Sequence, residues 1–379
     1  MALVLNEEQM MLRDSAAGFL SEKAGVPQLR ELRDAGSETA FDDGVWKEMA
    51  EMGWAGIAIP EEFGGLGYGY TGLGVVLEQV GRNLSASPLE ASVLIGATAV
   101  ERLGSAAQHA EWLPAIAAGQ KQVTLALQDD ANFDPAGVSM AATRDGDAYV
   151  LSGTKRMVLD GMTADAFVVI ARTAGAAGDT DGISAFLVPG DAEGLTVSRC
   201  EMVDSRQCAS LAFEGVRVGA DALMGDEGAA WTGLERTLDI AAIGLAAELL
   251  GLSLEAFERT MAYLRERKQF GRIIGSFQGL QHRAATLFTE LELARSIVLK
   301  ALQAIDDDAE NLSVLASAAK AKLSEVAKTA SNEGVQMHGG IGMTDEYDIG
   351  FFLKRARVLQ HLMGDYFYHL DRFARLGGY

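Results

Sequence analysis

Arg265-Glu-Arg-Lys-Gln-Phe-Gly271 closes the first of four stretches in which apolar residues recur with a period near 3.6. The four run over about residues 228–268, 279–305, 311–337 and 349–375. All six prolines lie at or before Pro189, so none interrupts a helix in the second half of the chain. Four long helices joined by short loops predict an antiparallel bundle. Upstream, from about 121 to 218, the pattern changes to short apolar runs between Asp-Gly and Gly-rich turns: Val123 to Leu127, Tyr149 to Leu151, Phe167 to Ile170, Ile183 to Val188 and Leu211 to Phe213. These are strand signals. Residues 1–120 read as helical but broken, with breaks near 60–69, 81–88 and 114, and Asn6-Glu7-Glu8-Gln9 reads as a capping box. The fold class is therefore α+β: an N-terminal helical domain over 1–120, a central β-barrel-like domain over 121–227 and a C-terminal four-helix bundle over 228–379. Such segregation excludes an alternating βαβ protein.

Composition narrows the function. A chain of 379 residues that is 49% hydrophobic and 22% charged is folded rather than disordered. Its net charge of −21 argues against nucleic acid or an anionic membrane as a partner, because both are bound through clustered Lys and Arg. Any anionic ligand must be held by local donors. The apolar run Ile240 to Leu254 contains Glu248 and falls short of the roughly 20 residues that cross a bilayer. The first residues carry acids and lack the basic start of a secretory leader. Cys200 and Cys208, with seven residues between them, form neither a disulfide framework nor a zinc spacing and read as reduced thiols. A cytoplasmic location is expected.

Gly67-Tyr-Gly-Tyr-Thr-Gly72 matches a dinucleotide fingerprint literally, but that reading needs a preceding strand, and here the surroundings are helical. A glycine-rich connection between helices explains it better. His361, Asp365 and His369 recur every four residues and would share a helix face. No second ligand cluster accompanies them, so a hydrogen-bonded face is favoured over a metal. There is no G-x-S-x-G elbow for nucleophilic hydrolysis. Arg267 at a helix end beside Phe270 and Gly271 is either a solvated charge run or a bidentate phosphate ligand with an aromatic to pack on a planar ring. In Gln336-Met-His-Gly-Gly-Ile-Gly342, helix termination accounts for one glycine but not comfortably for three; close backbone approach to a ligand accounts for the others.

Together these stretches resemble the acyl-CoA dehydrogenase family over essentially the whole chain. Pro60-Glu-Glu-Phe-Gly-Gly-Leu-Gly67 is similar to its N-terminal signature, Arg267 to Gly271 with Gln278 to its Arg-x-x-Phe-Gly segment, and Gln336 to Gly342 to its Gln-x-x-Gly-Gly-x-Gly turn. The resemblance implies FAD at a subunit interface. Arg267 would meet the pyrophosphate, Phe270 the adenosine half, and Gln278, Gln336, Gly339 and Gly340 would complete that end. It also implies an acyl-CoA substrate, oxidised between its α- and β-carbons, and reoxidation of the flavin by an electron-transfer flavoprotein. The assembly would be a homo-oligomer or a heterotetramer.

Several positions depart from the family. Its base, a glutamate on the last helices, corresponds to Met363, and the alternative base position on the first bundle helix corresponds to Ala241. Asp365 is the nearest acidic replacement. Asp239 matches an aspartate that neighbours the substrate, while Ala242 replaces the arginine three residues beyond it. Gln128 to Pro135 and Lys155-Arg-Met-Val-Leu159 stand for segments that contact flavin and substrate, without their hydroxyl donors or covering aromatic. This pattern resembles bacterial members that act on bulky acyl-CoA esters, where two related chains assemble and one supplies the base. The expectation is FAD-dependent α,β-dehydrogenation, with this chain as a base-deficient subunit, or else a non-catalytic binding or scaffold protein of the same fold.

Overall fold

In the computed structural model residues 3–37 and 39–379 are described, so the first two residues of the expected N-terminal domain, and residue 38, lie outside the description. Helix α1 (Glu7–Lys23) starts at the anticipated box: Asn6 Oδ1 accepts from Gln9 N at 2.8 Å, and Asn6 N donates back to Gln9 Oε1 at 3.0 Å. Then follow α2 (Val26–Asp34), α3 (Asp43–Glu51) and α4 (Gly69–Asn83). A π-helical stretch, Leu89–Ala97, runs into α5 (Thr98–Leu103), and α6 (Ala106–Ala117) ends the block. The Gly67 to Gly72 stretch follows the short helical turn Glu61–Phe63 and leads into α4, so it has no dinucleotide context. Donors at the start of α4 are already used, since Tyr70 N and Thr71 N donate to the two carboxylate oxygens of Asp306 at 2.7 and 2.9 Å.

The central strands are β1 (Val123–Ala126), β2 (Ala141–Asp145), β3 (Ala148–Leu159), β4 (Ala166–Arg172), β5 (Ile183–Pro189), β6 (Leu195–Glu201), β7 (Gln207–Gly219) and β8 (Leu223–Met224). They form one mixed sheet in the order β6-β7-β3-β2-β4-β5-β8, with β1 parallel to β4. Phe167, Phe186, Leu211 and Phe213 pack in its core. All five strands expected from apolar runs are present. Three were missed: β2 and β6 show most of their side chains to solvent and therefore carry no apolar signal, and β8 is only two residues long.

The bundle comprises α7 (Trp231–Glu266), a hairpin of β9 (Lys268–Gln269) and β10 (Arg272–Ile273), α8 (Gln278–Asp306), α9 (Leu312–His338), α10 (Ile349–His361) and α11 (Tyr366–Leu376). The fourth anticipated helix is thus two helices. Met363 (φ 54°) and Gly364 (φ 96°) take left-handed backbone, and Asp365 caps a new helix, a break that 3.6 periodicity spans without registering. His361, Asp365 and His369 consequently do not line one continuous helix face.

By contacts the chain forms two compact units, one of residues 1–31, 70–86 and 242–379, the other of 32–69 and 87–241. Within the first, α4 and α7 cross backbone to backbone. A Cβ on Gly81 would stand 2.1 Å from Glu248 O, and one on Gly251 would stand 1.8 Å from Glu78 O. Glu248, an acid inside an apolar run, is fully buried and accepts from Arg355 Nε at 2.8 Å. Burial draws Arg355 down to about 9. Among the described residues α7 is the one helix long and apolar enough to cross a membrane, and 89% of its apolar window is buried inside the protein. Gly251→Ala should therefore force the helices apart and cost about 3 kcal/mol. A urea midpoint equal to that of the parent would show that the two backbones are not in contact.

Candidate functional site

Three chain segments converge at one end of the bundle. Helix α7 ends in the β9–β10 hairpin, whose tip, Phe270 (φ 53°) and Gly271 (φ 78°), has positive φ at both turn positions, as a two-residue hairpin of this hand requires. A phenylalanine in left-handed backbone is unusual, and this one is 90% exposed. Its ring meets Phe277 edge to face at 6.1 Å between centroids, and the rest of its surface is open. Arg267 is exposed at the base of the hairpin, its backbone bonded to Tyr263 O and to Ile274 N. Gln278, also exposed, opens α8.

Tyr263, one turn before Arg267, stacks on His338 at 4.4 Å between ring centroids, which joins the hairpin to the end of α9. His338 Nδ1 is 2.6 Å from Gly334 O, and burial holds its imidazole below the usual histidine range. Gln336, Gly339 and Gly340 follow at the surface. Gly339 has φ 65°, a backbone that suits glycine. Gly340 has no positive φ, and a Cβ there would meet nothing within 4 Å, so internal packing places no demand for glycine. A ligand drawn across this turn would. Guanidinium, aromatic, helix N-terminus and bare backbone together form a donor set that suits a dinucleotide's phosphates and adenine ring.

The turn that holds Met363 is strapped from below. Lys320, fully buried in α9, donates through Nζ to Gly364 O at 2.8 Å and Gln360 O at 3.2 Å. His369 in α11 is 2.8 Å by Nε2 from Met363 O, which fixes the tautomer with the proton on Nε2. Asp365 Oδ1 accepts from Tyr368 N at 2.9 Å as the N-cap of α11. Burial pulls the Lys320 ammonium down to about 7, against the attraction of Asp365. Burial, reinforced by the Lys320 charge, draws His369 down to about 3. His369 is anticipated as part of a hydrogen-bonded face, whereas Lys320 is not, although a lysine amid Ala318, Ala319 and Ala321 is an available signal.

In the second unit, Lys155 Nζ reaches Asp129 Oδ1 at 2.5 Å and Leu127 O at 2.8 Å. Asp129 also accepts from Ser139 N and Met140 N, at 2.6 and 2.9 Å. Burial opposes ionisation of Asp129, but Lys155 and these donors outweigh it and hold the carboxyl below its usual range. Burial brings Lys155 to about 8. The pair fixes the 128–135 segment against β3. At the far end of β3, Met157 (φ 55°) is exposed and Leu159 is buried. On α7, Asp239 and Ala241 are both buried.

Three family models match the chain: acyl-CoA dehydrogenase N-terminal domain over residues 6–120, middle domain over 128–216 and C-terminal domain over 228–376. "Probable acyl-CoA dehydrogenase YngJ" of Bacillus subtilis is 33% identical over 94% of this chain and 94% of its own. A chain of the Tcur3481-Tcur3483 steroid ACAD superposes with a TM-score of 0.88 at 32% identity, covering 98% of each. One of the ChsE4-ChsE5 complex from Mycobacterium tuberculosis gives 0.89 at 25% identity, covering 100% of this chain and 99% of that one.

Because His369 is held neutral when folded but titrates near 6.5 when unfolded, the unfolded state binds more protons between about pH 3 and 6.5. Stability from this group is complete above pH 6.5 and declines as the pH falls through that window. His369→Gln keeps a donor for Met363 O and removes the titration. Chemical denaturation at pH 8, 6 and 5 should therefore show a shallower acid loss in the variant than in the parent. Equal slopes would exclude His369 from the linkage.

Proposed function

The chain belongs to the acyl-CoA dehydrogenase family, oxidoreductases acting on CH–CH bonds, and we propose that it works as the base-deficient subunit of a heterotetramer with a related chain. The observation that carries this reading is the strapped turn. The position of the family's base holds Met363, a thioether with no proton affinity at neutral pH, and the neighbouring carboxylate of Asp365 is committed to capping α11. Ala241, at the other base position, has no ionisable group.

The exposed end of the bundle supports a second part of the proposal. Arg267, Phe270, Gln278, Gln336, Gly339 and Gly340 would hold the pyrophosphate and adenosine end of FAD bound mainly by the partner subunit. When bound, FAD supplies the hydride acceptor for oxidation of an acyl-CoA, and an electron-transfer flavoprotein would take the electrons onward. What this chain contributes is binding and orientation: a guanidinium against the phosphates, an aromatic surface and backbone approach at Gly340. The two-subunit names of the similar steroid ACAD and of the ChsE4-ChsE5 complex favour pairing with a related chain.

The test is to purify the chain alone and together with a related subunit, then compare visible flavin absorbance and acyl-CoA-dependent dye reduction. Flavin and turnover are expected in the pair; strong flavin content and turnover in the isolated chain would overturn the reading. Asp365 itself is distinguished by two substitutions. Asp365→Asn retains the cap and should leave turnover of the pair within about twofold, whereas Asp365→Ala should lower stability by about 1 kcal/mol. A loss of 100-fold or more in Asp365→Asn, with stability intact, would identify this carboxylate as the base.

A further inference from the structure

The sheet brings together two side chains that lie eight positions apart in sequence. Strands β6 and β7 run antiparallel with Cys200 directly opposite Cys208. Opposed residues of an antiparallel pair project to one face with Cα atoms about 4.5 or 5.5 Å apart. Both spacings fall in the range of about 4.4–6.8 Å that a disulfide spans. In the structure both are free thiols. Cys200 is half-buried on the strand that ends the sheet order, its Sγ 3.3 Å from Ser210 Oγ. Cys208 is buried, its Sγ 3.9 Å from Met157 Sδ.

We propose that Cys200 and Cys208 form a reversible intramolecular disulfide when the protein meets a peroxide, with Cys200 attacking first and Cys208 resolving. The accessible Cys200, as thiolate, attacks one peroxide oxygen; the S–O bond forms as the O–O bond breaks, and the second oxygen leaves as water after taking a proton. The sulfur of Cys208 then attacks the Cys200 sulfenic acid. The S–S bond forms, the S–O bond breaks, and the oxygen leaves as water with the Cys208 proton. Two thiols lose two electrons and one peroxide becomes two waters, so the step balances; a dithiol reverses it.

The division of labour follows from the surroundings. Burial pushes the Cys208 thiol up to about 12, with Cys200 beside it, by charge and by a thiol hydrogen bond, as the next cause and the Asp204 and Asp160 carboxylates adding to it. A thiol so held is a poor first nucleophile. The crosslink would join the last strand of the sheet, β6, to β7, at the position where β7 pairs with Leu159 of β3.

The full-length chain, fully reduced, is treated with hydrogen peroxide, and separately with diamide, and its thiols are counted after denaturation. The two thiols should fall to none, the chain should remain single on a non-reducing gel and lose the mass of two hydrogen atoms, and dithiothreitol should restore both. In Cys208→Ser, dimedone should trap a sulfenic acid on Cys200. In Cys200→Ser, Cys208 should stay a thiol. Survival of both thiols under both oxidants, or disulfides only between chains, would overturn the proposal. Oxidation of Cys208 in Cys200→Ser at the parent rate would overturn the assignment of Cys200 as the first nucleophile.

Discussion

Where α4 crosses α7, each helix presents a glycine to a backbone carbonyl of the other, and this contact sets the spacing of everything packed on α7 within its unit. Side chains larger than hydrogen at Gly81 or Gly251 have no space to occupy. The close approach also has an electrostatic consequence. Glu248, whose own carbonyl touches Gly81, is fully buried, and a buried charge of this kind persists only with a partner. Arg355 of α10 is that partner, so a steric constraint between two helices is answered by an ion pair that fixes the position of a third. Helix α10 leads directly into the Met363 turn, which makes the packing of the bundle and the geometry of that turn parts of one arrangement.

The features legible in the sequence are those that repeat or that a single local rule decides. Helical periodicity located the bundle, apolar runs located five strands, and the Asn6 capping box was correct to the atom. The features that stayed hidden depend on partners distant in sequence. Lys320 is bonded to carbonyls 40 and 44 positions away, and Asp306 caps α4 from 235 positions away. Strands β2 and β6 are held by their neighbours rather than by their own side chains. The split of the last helix at Met363 depends on left-handed backbone at a methionine, which no propensity scale anticipates.

The candidate site divides along the same line. At the exposed hairpin and the Gly339 turn, Gly271 and Gly339 mark left-handed backbone in the sequence itself. The straps beneath Met363 are readable only in part: His369 falls in a spacing that suggests a hydrogen-bonded face, but the turn that Lys320 holds lies 44 positions away in sequence. Likewise, Cys200 and Cys208 are unremarkable by spacing and become neighbours only through strand register.

The net charge of −21 bears on how an anionic dinucleotide could be held at all. Many of the chain's arginines are already balanced internally: Arg82 by Glu255 and Glu258, Arg259 by Glu255 and Asp348, Arg30 by Asp345 and Asp348. Balanced cations stabilise the fold and add little to the field felt by a ligand. A local site therefore has to rest on donors that carry no compensating acid, and the neutral ones at the hairpin and turn, backbone N–H groups and glutamine amides, meet that condition. Arg267 adds a charge at the point where phosphates would lie. Donors grouped at an exposed end of the bundle can hold an anionic group there despite the overall charge of the chain.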